Sequence, residues 1–426
     1  MASTQKPPER NRALRMLGLP ALPKKLPSRN WMIFWTVSTT LSAAIIYDRR
    51  EKRRATARWA RAVSHIAKEP VGSPSEMPRR LTVYLESPPG DGFRVAQDHF
   101  VEYVKPILAA SGLDWEFVQG RMQGDVRAVV AEQIRRRRRA AGEVAPETPD
   151  GLPEQKSEPT TEEIVEEMRK KSGVREFAGV RGDIVVGRHT WKEYIRGLHE
   201  GWLGPLVAPP EPPKPVAAQI EEGKEAEEKK SEESKPKRPP QPKPYNTPEQ
   251  YSSSELSPHV PAELTPSVPI HFPHLLGFLG TPTRFVRFLN RRQTADEIGA
   301  EVAAACLATY REWKSEDEIK ESLESAEKDW VKSVWKADKG EEESGAQQPP
   351  KEKVWVNPIV LDPRIRTRMR RFELTPDDEA RARQIVVPEE EIEGWIKSHL
   401  RQAWRWGARQ FQGDGKKIPN VGNLDG

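Results

Sequence analysis

The sequence predicts an α/β protein: a single N-terminal transmembrane helix, a soluble region of strand–helix units and a mainly helical C-terminal part, with disordered Pro/Glu/Lys linkers between them. Three observations predict this. Residues 31–47, WMIFWTVSTTLSAAIIY, carry no charge in a chain that is 31% Asp, Glu, Lys and Arg. From Leu81 onward, short aliphatic runs alternate with apolar residues at helical spacing, the pattern of parallel strand–helix units. Forty prolines and an apolar content of only 36% leave part of the length as linker.

Residues 1–30 form a basic head, with seven Lys and Arg against the single acid Glu9. That composition suits a mitochondrial targeting segment or a flank that only fixes topology. A helix over 31–47 would span about 25 Å, short of a hydrocarbon core of about 30 Å, so it needs firm ends. Trp31 and Trp35 mark one interface and Tyr47 the other, while Arg29, Arg49, Arg50, Lys52, Arg53 and Arg54 can reach headgroups. Ser38, Thr39, Thr40, Ser42, Ala43 and Ala44 make a small-residue patch that permits close approach of another membrane helix. A buried core helix or the apolar part of a secretory signal fits the length too, but a signal ends at a small-residue cleavage site rather than in basic residues. Charge leaves the orientation open, because the seven basic residues before the run face eight between 48 and 68.

Past a basic juxtamembrane segment and hinge (48–79), residues 80–206 read as an α/β domain. Residues 81–85 are a strand, SPPGDG a loop, and Phe100, Val104, Ile107 and Leu108 a helix that Pro106 kinks or ends. Trp115, Phe117 and Val118 make a second strand, and Val126, Val129, Val130 and Ile134 stripe a second helix. A disordered insertion (143–163) precedes a third strand at 184–186. Thr190 and Glu193 then form a capping box for a helix with Trp191, Tyr194, Ile195 and Leu198. Residues 207–255 are a disordered linker. The region 256–337 is helical: 272–290 is apolar and basic, Thr294 with Glu297 opens a helix through Ile298, Val302, Leu307 and Tyr310, and Ser315 with Glu318 opens another through Ile319, Leu323 and Trp330. A second linker (338–353) leads to a strand at 354–361. An N-cap at Thr375 before Pro376 and a helix with Ile392, Trp395, Ile396, Leu400 and Trp404 complete 354–410, ahead of a tail (411–426).

Nothing here has the pattern of catalytic machinery. Cys306 is the only cysteine, which excludes an internal disulfide and any CxxC metal motif. Gly90, Asp91 and Gly92 sit between a strand and a helix, where a phosphate could bind, yet they lack the spacing of a dinucleotide or P-loop signature, and two glycines also suit a plain turn. His271 and His274 could share a metal on a helix, but Pro273 lies between them. No catalytic, cofactor-binding or metal residue follows from the sequence. Arg135, Arg136, Arg137, Arg138 and Arg139 are a candidate contact for anionic lipid or an acidic partner. At a helix C-terminus, before an acidic insertion, they equally serve the helix dipole. No RRM, KH or helix-turn-helix signature accompanies them, so nucleic acid is not expected as a partner. The tryptophans of the C-terminal third suit either a partner surface or a core.

The head, NRALRMLGLP followed by LPSRNWMIFW, resembles the N-terminal region of the fungal Tim fifty-four family, the large anchored subunit of the mitochondrial inner-membrane carrier translocase. The resemblance extends more diffusely through RRLTVYLESPPGDG and GDIVVGRHTWKEYIRGLHEGWLGP and fades in the linkers. It implies a non-enzymatic scaffold with a short matrix-facing head, one membrane crossing and a large domain in the intermembrane space. It further implies partners: the channel-forming and other membrane subunits of the translocase, and the small Tim chaperones. The five arginines and the acidic insertions are not marks of that family, so it assigns them no contact. The competing expectation is a membrane-tethered nucleotide- or lipid-dependent enzyme that uses the loop at Gly90 to Gly92.

Overall fold

Side-chain alternation builds the centre of the sheet. In β1 (Arg80–Glu86) and β3 (Gly182–Val186) successive residues face opposite sides, and parallel pairing sets Val83 beside Ile184, Tyr84 beside Val185 and Leu85 beside Val186. Val83, Leu85, Ile184 and Val186 therefore enter one core, while Tyr84 and Val185 enter a second on the other face. The computed structural model describes residues 28–70, 73, 75–144, 161–209, 241–327, 330, 352–393, 398–399 and 401–406. The chain divides into two units, Met1–Arg49 and Arg50–Gly426, and helix α1 (Arg29–Val63) runs unbroken across that boundary.

After β1 come α2 (Phe93–His99) and α3 (Lys105–Ser111). They are joined by a π-turn over Phe100–Val104, so Pro106 lies in the first turn of α3 and bends the path instead of ending it. β2 (Asp114–Gly120), α4 (Asp125–Ala140) and α5 (Thr161–Lys171) precede β3, and α6 (Arg188–Leu203) follows it. The C-terminal part departs from the mainly helical expectation, because it supplies β4 (Ser267–Ile270), β5 (Tyr310–Glu312) and β6 (Arg370–Phe372) to the same sheet. The order is β2-β1-β3-β4-β6-β5, parallel except for β5. α7 (Thr281–Phe288), α8 (Arg291–Leu307) and α9 (Glu316–Glu321) flank these strands, and α10 (Pro363–Arg366), α11 (Pro376–Gln384) and α12 (Glu389–Ile392) end the described body. One core joins α1, α2, α3 and α8, and the other joins α4 and α6, giving three layers.

Several local expectations change for identifiable reasons. Residues 354–361 form no strand: they turn at Val354 to Val356, where the Val356 and Asn357 N–H groups donate to the Lys353 carbonyl, and Val354 and Ile359 are buried without pairing. α8 starts three residues before Thr294 and stops at Ala308, whose φ of 58° is left-handed, so Tyr310 joins β5. The helix expected after Ser315 keeps that cap, with the Glu318 N–H donating to Ser315 Oγ at 3.1 Å, but breaks at Leu323, where φ is 62°. Thr375 caps α11 as expected. Glu193 does not close a box with Thr190. It reaches across to α4 and accepts the N–H groups of Gly124 (2.6 Å) and Arg127 (3.2 Å), capping a neighbouring helix. Most of the expected insertion and first linker, with Trp395, Ile396 and Leu400, lies outside the described residues. Residues 241–251 of that linker, however, are part of the fold.

The reason is α6. All sixteen of its residues are buried, although seven of them are Arg, Lys, His or Glu, and a buried charge without a partner is strongly destabilising. Glu200 is the hub. It pairs with Arg127, with Arg135 at 2.7 Å and with Arg196 at 3.8 Å, and it accepts the Tyr245 N–H at 3.1 Å. Burial alone would raise the Glu200 carboxyl, but Arg127, Arg196 and Arg135 outweigh it and hold it below the usual glutamate value. Arg127 also donates to the Pro242 carbonyl, Arg196 to Asn246 and Glu352, and Arg135 stacks 3.6 Å from the Tyr245 ring. Gly201 lets α4 approach this closely, since a Cβ there would sit 2.7 Å from Ile134.

Glu200→Gln is expected to cost about 3–5 kcal/mol, because three buried guanidinium groups lose their counter-charge. Thermal unfolding of the full chain in mild detergent measures the loss, and limited proteolysis should open residues 241–251 first. A variant as stable as the parent would show that the cluster is neutralised elsewhere.

Candidate functional site

The leading half of α1 is exposed and apolar. Trp31, Met32, Ile33, Phe34, Trp35, Val37, Ile46 and Tyr47 all face outward. Trp31 and Trp35 stack at 6.0 Å with Phe34 edge-on between them. The hydroxyls that dilute this stretch are satisfied within the helix: Thr36 donates to the Ile33 carbonyl (2.9 Å), Thr39 to Trp35 (2.7 Å) and Thr40 to Thr36 (2.8 Å). Thr39, Thr40, Ser42, Ala43 and Ala44 are exposed and Ser38 is half-buried, so five of the six positions of the expected small-residue patch are open. No helix of the described residues is long and apolar enough by itself to cross a membrane.

The basic residues after Tyr47 behave differently from the free headgroup anchors expected. Arg50 pairs with Glu389 (2.7 Å), Lys52 with Glu102, Arg54 with Glu51 (2.6 Å), Arg58 with Asp296 and Arg61 with Glu391 (2.7 Å), while Arg53 donates to the Ile392 carbonyl. These residues are helical, and apart from the Arg54–Glu51 pair their contacts bind the trailing half of α1 to the body. Trp59 seats this half. Its Nε1 donates to Asp296 at 2.6 Å, and its ring fills a notch at Gly299, where a Cβ would lie 2.2 Å from Trp59 Cδ1.

The arginine run is divided by its helix. Arg135 and Arg138 point inward: Arg135 to Glu200, Arg138 to Glu143 (2.5 Å) and to the carbonyls of Gly201 (2.6 Å) and Gly204 (2.7 Å). Arg136 is half-buried, and Arg137 and Arg139 are exposed, the latter bonded to Glu132. The five guanidinium groups therefore do not form one lipid-facing cluster. Helical rotation separates them.

In a doubly wound sheet, ligands bind where the strand order reverses, here beyond the carboxyl ends of β1 and β3. That crevice is filled. His189 meets the Glu86 carbonyl at 3.2 Å and packs against the rings of Phe272, Trp330 and Trp355, and burial pushes its pKa down to about 4, so it is neutral. The glycine loop is a turn: Gly90 has φ 83°, and His274 closes it by bonding the Pro89 carbonyl at 3.0 Å. His271 and His274 lie outside any helix or strand, after β4, and among the described residues no group of three His, Cys, Asp or Glu is placed to hold a metal. Beside the crevice, Glu86 is fully buried, and burial first and the neighbouring Glu193 second push its carboxyl well above the usual glutamate range. Sequence reasoning missed Glu86, Glu200 and Trp59; only an acidic residue at a strand end and charges spaced through an apolar helix hinted at the first two.

These features define a class: an α/β domain whose switch-point crevice is closed by its own side chains, continuous with a helix whose leading half is apolar. Within that class, the chain belongs to the Tim54 family. Residues 11–226 and 214–372 match the family described as inner membrane protein import complex subunit Tim54. The Neurospora crassa protein named mitochondrial import inner membrane translocase subunit tim54 is 58% identical, over 96% of this chain and 90% of its own length. Proteins of the same name from Aspergillus oryzae and Saccharomyces cerevisiae are 42% and 28% identical, over 96% and 88% of this chain and 99% and 96% of their own lengths.

Two outcomes test the geometry. Gly299→Ala should destabilise the chain by about 1–3 kcal/mol through overpacking against Trp59, and should be nearly neutral in a Trp59→Ala background; additive losses would refute the notch. Glu86→Gln should raise the unfolding temperature at pH 8 and leave it unchanged near pH 4. Above the ordinary glutamate value the unfolded chain releases the Glu86 proton while the folded chain keeps it, so stability falls as pH rises toward the raised folded value, and glutamine removes that loss.

Proposed function

We propose that this chain is a non-enzymatic subunit of the mitochondrial inner-membrane import translocase. Segment 31–47 holds it in the membrane beside other subunits, and its α/β domain offers them a docking surface. One observation carries the reading: an exposed apolar half-helix continues without a break into a helix pinned by Trp59. In water that apolar surface would be costly. In lipid it is favourable, and the Thr36, Thr39 and Thr40 hydroxyls, already bonded to their own backbone, add little desolvation cost. Seventeen apolar and small residues are marginal alone. Packing of Ser38, Ser42 and Ala43 against a neighbouring helix compensates, which suits a subunit of a complex.

The family resemblance supports the finer placement, with the head in the matrix, a single crossing and the domain in the intermembrane space. It also supports the channel-forming subunit and the small Tim chaperones as partners. Of the arginine run, the exposed Arg137 is the residue best placed to meet anionic lipid or an acidic partner.

On alkaline extraction of mitochondria the full chain should stay with the membrane, and a chain lacking residues 31–47 should be released. Replacing Ser42 and Ala43 by Leu should lower co-purification with the channel-forming subunit without releasing the chain. A full-length chain found in the extract would refute the anchor, and undiminished co-purification would refute the packing face.

A further inference from the structure

Between β4 and α8 the chain exposes an apolar surface that its own fold does not cover. Leu279 is 93% and Phe278 89% exposed, more than any other large apolar side chain described, and Phe285 and Val286 are about half-exposed beside them. No residue of α7 is buried. An eight-residue helix is too short to be stable in water on propensity alone, so it needs a surface to pack against. The sequence around it is also basic and free of acids. Residues 265–295 contain none of the chain's 64 acidic residues, whereas Arg284, Arg287, Arg291 and Arg292 lie among the aromatics.

We propose that residues 277–292 form a second membrane contact, an interfacial element that lies on an anionic bilayer with Phe278, Leu279, Phe285 and Val286 among the upper acyl chains and the arginines at headgroup level. Interleaved aromatic and basic residues without acids are the signature of such an element, since each Arg gains from the negative surface potential while its stem covers apolar area. Arg284 is tied to the Gly277 carbonyl, which leaves its charge intact. Location supports this occupant over an acidic protein. Glu102 binds both Arg291 (3.4 Å) and Lys52, and Lys52 is five residues past Tyr47, at most about 18 Å of chain from the end of the anchor segment. The inference rests on the reading of 31–47 as anchor for this location, but not for the lipid chemistry.

The test uses the full chain with Leu279→Cys carrying an environment-sensitive fluorophore; Cys306 is buried and unreactive under native conditions. The protein is reconstituted into phosphatidylcholine vesicles with and without phosphatidylserine. The expected result is a blue-shifted emission, quenched by spin-labelled lipid, that is stronger with phosphatidylserine and diminished by Arg284→Glu; the same fluorophore at Val386→Cys, also exposed, should report water in both. Water-like emission at 279 in both vesicles, with the chain retained through an alkaline wash, overturns this inference and leaves the anchor standing. Lipid-like emission from a chain that the wash removes supports it while the anchor reading fails. No association with either vesicle overturns both.

Discussion

Seven Arg, Lys, His and Glu residues sit on a helix with no exposed face, and the rest of the body is arranged to answer them. Helix α6 follows β3 directly and is covered on the side that its sequence marks as polar. Glu200 draws three guanidinium groups, and each of these needs further acceptors: Pro242 and Asn246 from one returning segment, Glu352 from another. Arg188 and Lys192 meet Glu327, and His199 accepts the Asp362 N–H at 2.9 Å. Burying charge is unfavourable unless every partner is in place. Segments that composition marks as linker are thereby drawn into the fold at their ends, which is where the charged partners lie.

The same logic, with packing in place of charge, governs α1. Its two halves face different requirements. The leading half presents rings, aliphatic side chains and hydroxyls that are already bonded to the backbone, and the trailing half is fixed by Trp59 in the Gly299 notch and by ion pairs from Arg50, Lys52, Arg58 and Arg61. One continuous helix thus carries both the apolar segment and the residues that pack into the folded body. The filled crevice fits a scaffold, since the place where a doubly wound sheet would take a ligand is occupied by His189, Phe272, Trp330 and Trp355.

Elements whose stability is local were legible in the sequence. β1, β2 and β3 announce themselves by aliphatic runs, α4 and α6 by their apolar stripes, and the caps at Ser315 and Thr375 by short-range chemistry that each residue completes with its own backbone neighbours. The apolar segment, its aromatic ends and the Tim54 resemblance were likewise visible without coordinates. Elements that exist only because a neighbour is already there were not. β4 carries Pro269 in an interior strand, which sequence rules speak against, and β6 is three residues, two of them arginine; both pair because β3 and β5 present edges to them. The roles of charged residues were hidden for the same reason. Glu193 looks like a cap for its own helix and caps another, and five consecutive arginines look like one patch until helical rotation turns Arg135 and Arg138 inward. The sequence by itself determined where apolar surface and charge reside along the chain. Only the tertiary structure decided which charges are answered inside, because hydrophobic periodicity is a local property, whereas the partner of a buried charge is chosen by the fold.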